Sequence, residues 1–350
     1  MRWASTSGGR PAQLRSLRRA LLKWYDQHRR DLPWRRDRDP YRVWVSEIML
    51  QQTRVAAVLE HYARFLQRFP TVQSLASARE ASVLAIWSGL GYYHRARRMH
   101  QAAKVIARER GGRFPHAADE WLTLPGIGRY TAAAIASIAF DEAVAVVDGN
   151  VERVLQRLFG NGIGSPQVSP KDGRSWGTKA AQGREAAWQQ AETLLDRARS
   201  GDFNQAMMEL GATICTPRAP RCLVCPLNAF CKSRGATALN PPTVRKRKSV
   251  SYALARQNSS VLLVRRPEDS SLMAGMWELP ALDPSLANGD QPLLRVRHSI
   301  TDTDYRVAVF AIAADQLPDC AAEARWATRR QSSQFPLTGL TRKILRQLGL

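Results

Sequence analysis

The sequence predicts a mainly α-helical body followed by a smaller α/β module. Apolar residues recur at helical spacing from about residue 12 to residue 213. After residue 250 they alternate or run in short β-rich stretches. Residues 233–249, SRGATALNPPTVRKRKS, separate the two parts and predict an exposed basic linker. We therefore expect a helical domain over residues 1–232 and a second domain over residues 250–350.

The helical body begins with an amphipathic helix over residues 12–25, which has arginine and lysine on its polar face. Its apolar face carries Leu14, Leu17, Leu21 and Trp24. Residues 160–181 are loop-like and have no assigned role. Further helices are predicted at residues 43–68, 74–87, 92–110, 117–123, 129–140, 150–158, 182–199 and 203–213.

The C-terminal module combines strands with one helix. Period-two or β-rich patterns predict strands in SYALARQ, SVLLVRR, LLRVRHSI and YRVAVFAIA. The last segment, TRKILRQLGL, predicts a closing helix.

The charge balance points to a polyanionic partner. The chain has 350 residues, 52 lysines and arginines against 30 aspartates and glutamates, and a net charge of +22. Such a field concentrates nucleic acid, although a genome rich in arginine codons also produces basic proteins. No stretch approaches the about 20 apolar residues of a membrane span, and MRWASTSGGR lacks the apolar core of a secretion signal. We expect a cytoplasmic protein that does not bind membranes.

Four of the five cysteines form one metal-ligand pattern. Cys215, Cys222, Cys225 and Cys231 follow the spacing C-x6-C-x2-C-x5-C. Four thiolates in one short segment can wrap a compact core, and they are the usual ligands of a [4Fe–4S] cluster. Structural zinc usually takes two C-x2-C pairs, whereas this segment has one. We predict the [4Fe–4S] cluster, with zinc and four unrelated buried cysteines as the alternatives.

The segment WLTLPGIGRYTAAA predicts a hairpin between two helices. Pro125 stops the first helix, Gly126 and Gly128 allow a tight turn, and a second helix begins near Arg129. The new helix N-terminus offers unpaired N–H groups to a phosphate. Such a contact positions DNA without reading its sequence. A plain corner between two helices is the alternative.

Two carboxylates lie in apolar surroundings. Glu47 stands among apolar residues in YRVWVSEIMLQQT, where burial should raise its pKa as a general acid requires. Asp148 ends the apolar run of AVAVVDGNVERV, where Asn150 and backbone N–H groups can solvate it. Two carboxylates in different environments can protonate a leaving group and stabilise a sugar cation. The alternatives are a Glu47 paired with an arginine and an Asp148 that caps a helix.

Taken in order, LPGIG, VDGNV and the cysteine spacing resemble the helix-hairpin-helix, or endonuclease III, superfamily of DNA glycosylases. Within that superfamily, LPWR, SEIMLQQT, GLGYY and FNQAMMELGA resemble the MutY-type adenine DNA glycosylases. The resemblance covers residues 12–232. It implies a two-lobed helical body with an iron–sulfur loop and DNA in the groove between the lobes.

The resemblance also implies roles for individual residues. Glu47 would protonate adenine, Asp148 would stabilise the sugar cation, and Tyr130 and Asn150 would position them. Gln52, Thr53 and the segment Leu90–Tyr92 would fill the gap left by the flipped adenine. The residues expected at the DNA or the base are Arg30, Trp34, Arg35, Leu50, Gln52, Thr53, Leu90, Gly91, Tyr92, Gly126, Gly128, Gln205 and Thr301.

One position separates the relatives by mechanism. Members that also cleave the strand carry a lysine where this chain has Tyr130, and its amine attacks the sugar. A phenol cannot form a Schiff base. The resemblance therefore implies base excision with little or no strand cleavage.

The C-terminal module resembles the Nudix-like domain with which MutY proteins recognise 8-oxoguanine. MAGMWELP carries this likeness, and no glutamate-rich hydrolase motif follows it. Where the family commonly has Phe-Ser-His, this chain has Ile300, Thr301 and Asp302, so only a hydroxyl is kept for reading guanine.

The implied partner is double-stranded DNA with A:8-oxoguanine or A:G mispairs, bound by a monomer near the bacterial nucleoid. Two alternatives stay open. A pyrimidine-specific glycosylase of the same superfamily normally lacks the C-terminal module and has no QQT after the acid. A catalytically inactive DNA-binding protein would have no need to keep Glu47 and Asp148.

Overall fold

A computed structural model describes residues 9–160, 178–234, 245–270, 272–283, 291–300, 302–317, 323–332 and 334–350. Most of the loop-like segment 160–181 and the whole of Thr301 lie outside the described residues. The chain divides into two compact units. The first comprises Met1–Gln51 and Arg113–Pro241, and the second comprises Gln52–Gly112 and Pro242–Leu350.

The helices of the described residues confirm the mainly α-helical body. They are α1 Gly9–His28, α2 Pro40–Leu50, α3 Val55–Arg68, α4 Val72–Ala76, α5 Glu80–Trp87, α6 His94–Glu109, α7 Ala118–Leu122, α8 Arg129–Phe140, α9 Gly149–Phe159, α10 Thr178–Leu194, α11 Ser200–Thr213, α12 Arg329–Ser332 and α13 Gly339–Gln347. No helix in the described ranges is long and apolar enough to cross a membrane.

The prediction of one continuous helix was wrong for two segments, each of which forms two helices in the structure. The predicted helix over residues 43–68 breaks after α2, where Gln52 takes a left-handed backbone with φ of 56° that a right-handed helix cannot contain. The predicted helix over residues 74–87 breaks between α4 and α5, where Arg79 is extended.

The first unit packs around the apolar face predicted for α1. Leu17, Leu21 and Tyr25 of α1 are fully buried against apolar residues of α9 and α11. Burial of such side chains contributes about 1.5–3 kcal/mol each. This core fixes the starts of α9 and α11, which carry part of the site described below.

The second unit contains two small β-sheets. Their strands are β1 Lys246–Leu254, β2 Arg256–Gln257, β3 Ser260–Arg265, β4 Trp277–Glu278, β5 Ala281–Leu282, β6 Leu294–Ile300, β7 Thr303–Ala311 and β8 Ala324–Thr328. One sheet has the order β5-β1-β7-β6, with β1 and β7 parallel and the other pairs antiparallel. The other has the order β2-β3-β4, and β8 also pairs with β3. β1 begins at Lys246, within the segment predicted as linker.

Hydrogen bonds join the C-terminal module to α5 and α6 within this second unit. The Leu337 carbonyl accepts from the Ser88 hydroxyl at 2.6 Å and from the Tyr93 hydroxyl at 3.2 Å. Arg342 donates to the Ala85 carbonyl at 3.2 Å, and Arg97 donates to the Ala274 carbonyl at 2.7 Å. The module is therefore anchored on both sides of the segment Leu90–Tyr92.

Candidate active site

Glu47 lies on α2, a helix buried along most of its length. Pro40 occupies the first turn of α2. The Asp39 carboxylate caps the helix by accepting a hydrogen bond from the Arg42 backbone N–H at 2.9 Å. The helix contacts α8, which presents a run of buried alanines beginning at Ala132. Glu47 is 5% exposed as a result.

Tyr130 is the hydrogen-bond partner of Glu47. Its hydroxyl donates to Oε2 of Glu47 over 2.7 Å. The pKa of Glu47 is raised to about 7, mainly by burial and to a smaller extent by the charge of Asp148. The Tyr130 hydrogen bond and the charge of Arg35 act in the opposite direction. Burial also raises the pKa of Tyr130 well above its ordinary value, so Tyr130 stays a donor. In the described residues the hydrogen-bond partner of Glu47 is thus a tyrosine, and Arg35 acts on it through its charge.

Asp148 caps α9, as the structural alternative predicted. Its Oδ1 accepts from the backbone N–H groups of Asn150 and Val151 at 2.9 and 2.7 Å. Its Oδ2 accepts from the Asn150 side-chain amide at 2.8 Å. Asp148 is half-buried, so capping does not enclose the residue completely.

Arg153 connects Asn150 with the segment that precedes the cysteines. Its Nη2 donates to Oδ1 of Asn150 and to the Gly211 carbonyl, both at 2.8 Å. Its Nε donates to the Cys215 carbonyl at 2.8 Å. The amide of Asn150 is thus held in the orientation in which it donates to Asp148.

Glu209, which the sequence analysis did not single out, binds two residues that were predicted to contact DNA or the base, Arg30 and Arg35. Its carboxylate is buried, accepts from Nε and Nη2 of Arg30 at 2.6 and 2.8 Å, and accepts from Nη2 of Arg35 at 2.9 Å. Burial would raise the pKa of Glu209, but the two arginines outweigh it, and the pKa lies below its ordinary value. Glu209 therefore fixes both guanidinium groups, and the charge of Arg35 also acts on Glu47.

The remaining predicted residues of the first unit differ in exposure. Trp34 is buried, whereas Leu50 at the end of α2 and Gln205 on α11 are half-buried. In the hairpin, Gly126 has φ of 77°, and Gly128 is the N-cap of α8. Both glycines are exposed, so the first N–H groups of α8 start at an accessible turn.

The two predicted insertion segments lie in the second unit. Gln52 and Tyr92 are exposed and have left-handed backbones, with φ of 56° and 48°. Thr53 and Gly91 are half-buried, and Leu90 is buried. Of the predicted guanine-reading residues, Ile300 is the last residue of β6, and Asp302 directly precedes β7, which begins at Thr303.

The four cysteines lie on the chain after α11. Short 3-10 turns, Cys222–Val224 and Asn228–Phe230, separate the last three. The pKa of Cys225 is raised to about 11, mainly by burial; a backbone hydrogen bond at Leu227 lowers it, and the nearby Cys215, Cys231 and Cys222 add smaller increases. Within the described residues, no group of three or more His, Cys, Asp or Glu side chains is arranged to hold a metal ion. The set of four neighbouring thiols is nevertheless the donor set of an iron–sulfur cluster.

Comparison with known proteins places both parts of the chain. Residues 45–176 match the HhH-GPD superfamily of base excision DNA repair proteins, and residues 251–347 match the NUDIX domain. The adenine DNA glycosylase of Mus musculus is 36% identical over 96% of this chain and 78% of its own length. The chain belongs to the adenine DNA glycosylase family.

Solved structures share the fold over 64% of the chain. A thermostable thymine-DNA glycosylase is 30% identical, with a TM-score of 0.54, and covers 64% of this chain and 97% of its own. Endonuclease III in a non-covalent DNA complex shares the fold at 21% identity and a TM-score of 0.50, over 64% of this chain and 95% of its own. As an adenine DNA glycosylase family member, the protein combines the helical body of base excision repair enzymes with a Nudix domain.

Proposed function

We propose that this protein hydrolyses the N-glycosidic bond of adenine mispaired with 8-oxoguanine or guanine in double-stranded DNA. The observation that carries the proposal is the buried Glu47, whose pKa of about 7 leaves it substantially protonated at neutral pH. Family membership supplies the substrate class.

The proposed chemistry is divided between two carboxylates. Glu47 donates a proton to the leaving adenine, and Tyr130 orients the carboxyl through the 2.7 Å hydrogen bond. Asp148 would stabilise the positive charge that develops on the sugar, with Asn150 orienting its carboxylate, and attack of water on the sugar carbon would complete the hydrolysis. Each catalytic carboxylate therefore has its own positioning partner.

The proposal includes base excision without efficient strand cleavage. Tyr130 occupies the position at which strand-cleaving relatives carry a lysine, and its phenol supplies no amine for a Schiff base. Its hydroxyl is already donated to Glu47.

We assign residues 1–232 to catalysis and residues 250–350 to recognition of the base opposite adenine. Of the predicted basic linker 233–249, residues 246–249 belong to β1, so the linker ends before Lys246. Thr301 would supply a hydroxyl to that base, and the exposed glycines Gly126 and Gly128 would meet phosphate. The protein would act as a monomer. Because its partner is genomic DNA, the proposal places it at the nucleoid of a bacterial cytoplasm.

The four cysteines are proposed to bind a [4Fe–4S] cluster. Cys215, Cys222, Cys225 and Cys231 supply its four thiolates. The cluster would contribute a fixed, compact core for a loop that has few buried apolar side chains of its own. Arg157 already donates to Sγ of Cys215 at 3.2 Å, a contact that would stabilise a thiolate.

A thymine-specific activity is the second candidate, since a thymine-DNA glycosylase is 30% identical to this chain. That relative covers 64% of the chain, whereas the adenine-specific relative covers 96%. The longer match, which reaches into the C-terminal module, favours adenine.

A single-turnover assay on matched duplexes tests the proposal. The target adenine is placed opposite 8-oxoguanine, guanine or cytosine, with a G:T duplex as the thymine test. We expect release of free adenine from the first two, and none with Glu47→Gln. The exposed Glu60→Gln is the matched control and should keep the wild-type rate. Release of thymine alone, or of no base, would overturn the proposal.

A further inference from the structure

Arg95 joins the two segments that the proposed function inserts into DNA. This residue lies in the first turn of α6 and is 6% exposed. Its Nη2 donates to Oγ1 of Thr53 at 3.2 Å and to the carbonyls of Leu90 and Gly91, both at 3.3 Å. One guanidinium nitrogen therefore holds segments almost forty positions apart in the sequence.

Two aromatic rings enclose the Arg95 guanidinium. Its central carbon is 5.5 Å from the ring centroid of Trp87 and 5.5 Å from that of Tyr92. Trp87 in turn donates from its indole N–H to the Gly91 carbonyl at 3.2 Å. Burial lowers the pKa of Arg95 to about 10, which still leaves it charged at neutral pH.

Both segments need such support, because each has a non-glycine residue in the left-handed region. Gln52 has φ of 56° and Tyr92 has φ of 48°. A residue with a side chain adopts this conformation only where its surroundings impose it. Arg95 binds the residue next to each of them, Thr53 and Gly91.

We propose that Arg95 is a positioning residue that presets the Gln52–Thr53 and Leu90–Tyr92 segments for insertion into the base stack. The inference rests on the proposed function, since it takes these segments as the ones that enter DNA. Presetting both segments lowers the free energy of holding adenine outside the stack. Arg95 thus acts on base flipping and leaves proton transfer by Glu47 unchanged.

The test combines a flipping signal with base release. Arg95→Met keeps the length and apolar stem and removes the donors. Arg95→Lys keeps a charge and hydrogen-bond donors but not the planar group. The matched control is Arg98→Met, which replaces an exposed arginine on the same helix. The readouts are the fluorescence of 2-aminopurine next to the target adenine, the single-turnover rate of adenine release against pH, and thermal unfolding.

We expect Arg95→Met to reduce flipping and adenine release roughly ten- to a hundredfold, because it removes the three hydrogen bonds of Nη2 and hydrogen bonds to a charged group are strong. The inflection of the pH–rate profile should not move, and Arg98→Met should match the wild type. Arg95→Lys should recover part of the flipping signal. If Arg95→Met does not fold, flipping and adenine release by Arg95→Lys test the inference. Wild-type flipping and release in a folded Arg95 variant would overturn the inference. A wild-type protein that releases no adenine would overturn the proposed function itself.

Discussion

Replacing Glu47 by glutamine should stabilise the protein at alkaline pH while abolishing activity. Glu47 is buried, and its pKa rises from the ordinary 4.5 to about 7. A difference of that size corresponds to about 3 kcal/mol at 1.36 kcal/mol per pKa unit. Below pH 4.5 both the folded and the unfolded chain hold this proton, so it has no effect on stability.

The sign of the effect follows from proton binding. Between pH 4.5 and about 7 the folded protein keeps a proton that the unfolded chain has lost, so the free energy of unfolding falls as pH rises. Above about pH 7 the full cost of about 3 kcal/mol is present. Glutamine never ionises and can still accept from Tyr130. The advantage of Glu47→Gln should therefore be near zero at pH 4.5 and grow to at most about 3 kcal/mol at pH 8.

Denaturant unfolding of wild type and variant at pH 5, 6, 7 and 8 measures this difference. The exposed Glu60→Gln serves as control and should show a small difference that changes little with pH. A Glu47→Gln advantage that is constant from pH 5 to pH 8 would refute the raised pKa, and with it the argument for Glu47 as the acid.

Three further predictions follow from other parts of the structure. Tyr130→Lys should give a DNA adduct that borohydride traps, because an amine then faces the sugar. Efficient trapping by the wild type would contradict the proposal that the protein excises the base without cleaving the strand. Purified protein should contain about four irons per chain and absorb broadly near 400 nm, and Cys222→Ser should lose much of both; stoichiometric zinc without iron would contradict the cluster. Removing residues 250–350 should weaken the preference for A:8-oxoguanine over A:G. It should also slow adenine release from A:G several-fold, because the Ser88 and Tyr93 hydroxyls lose their hydrogen bonds to the Leu337 carbonyl. An unchanged A:G rate would show that these bonds do not support the insertion segment Leu90–Tyr92.

Much of the site was predictable, because the chemistry of its main residues is local in the sequence. The apolar neighbours of Glu47 on α2 predict its burial, and the apolar run before Asp148 predicts a carboxylate at the start of a helix. The hairpin glycines predict the start of α8 at Arg129, where the structure has it.

Other features depend on contacts between distant segments and leave no periodic signal. Glu209 and Arg95 each stand in a helical pattern in which a charged residue is normally interpreted as solvent-exposed. Their burial follows only from the arginines and carbonyls that the fold brings to them. The break at Gln52 was also missed, since the apolar spacing continues through it while the backbone turns left-handed.

The pH dependence of adenine release tests the central claim most directly. Free adenine is measured under single-turnover conditions from an A:8-oxoguanine duplex between pH 5 and pH 9. Because Glu47 must be protonated to act, the rate should fall as pH rises through about 7, and Glu47→Gln should release no adenine at any pH. A rate that stays constant across this range, or adenine release by the variant, would contradict Glu47 as the acid that frees adenine.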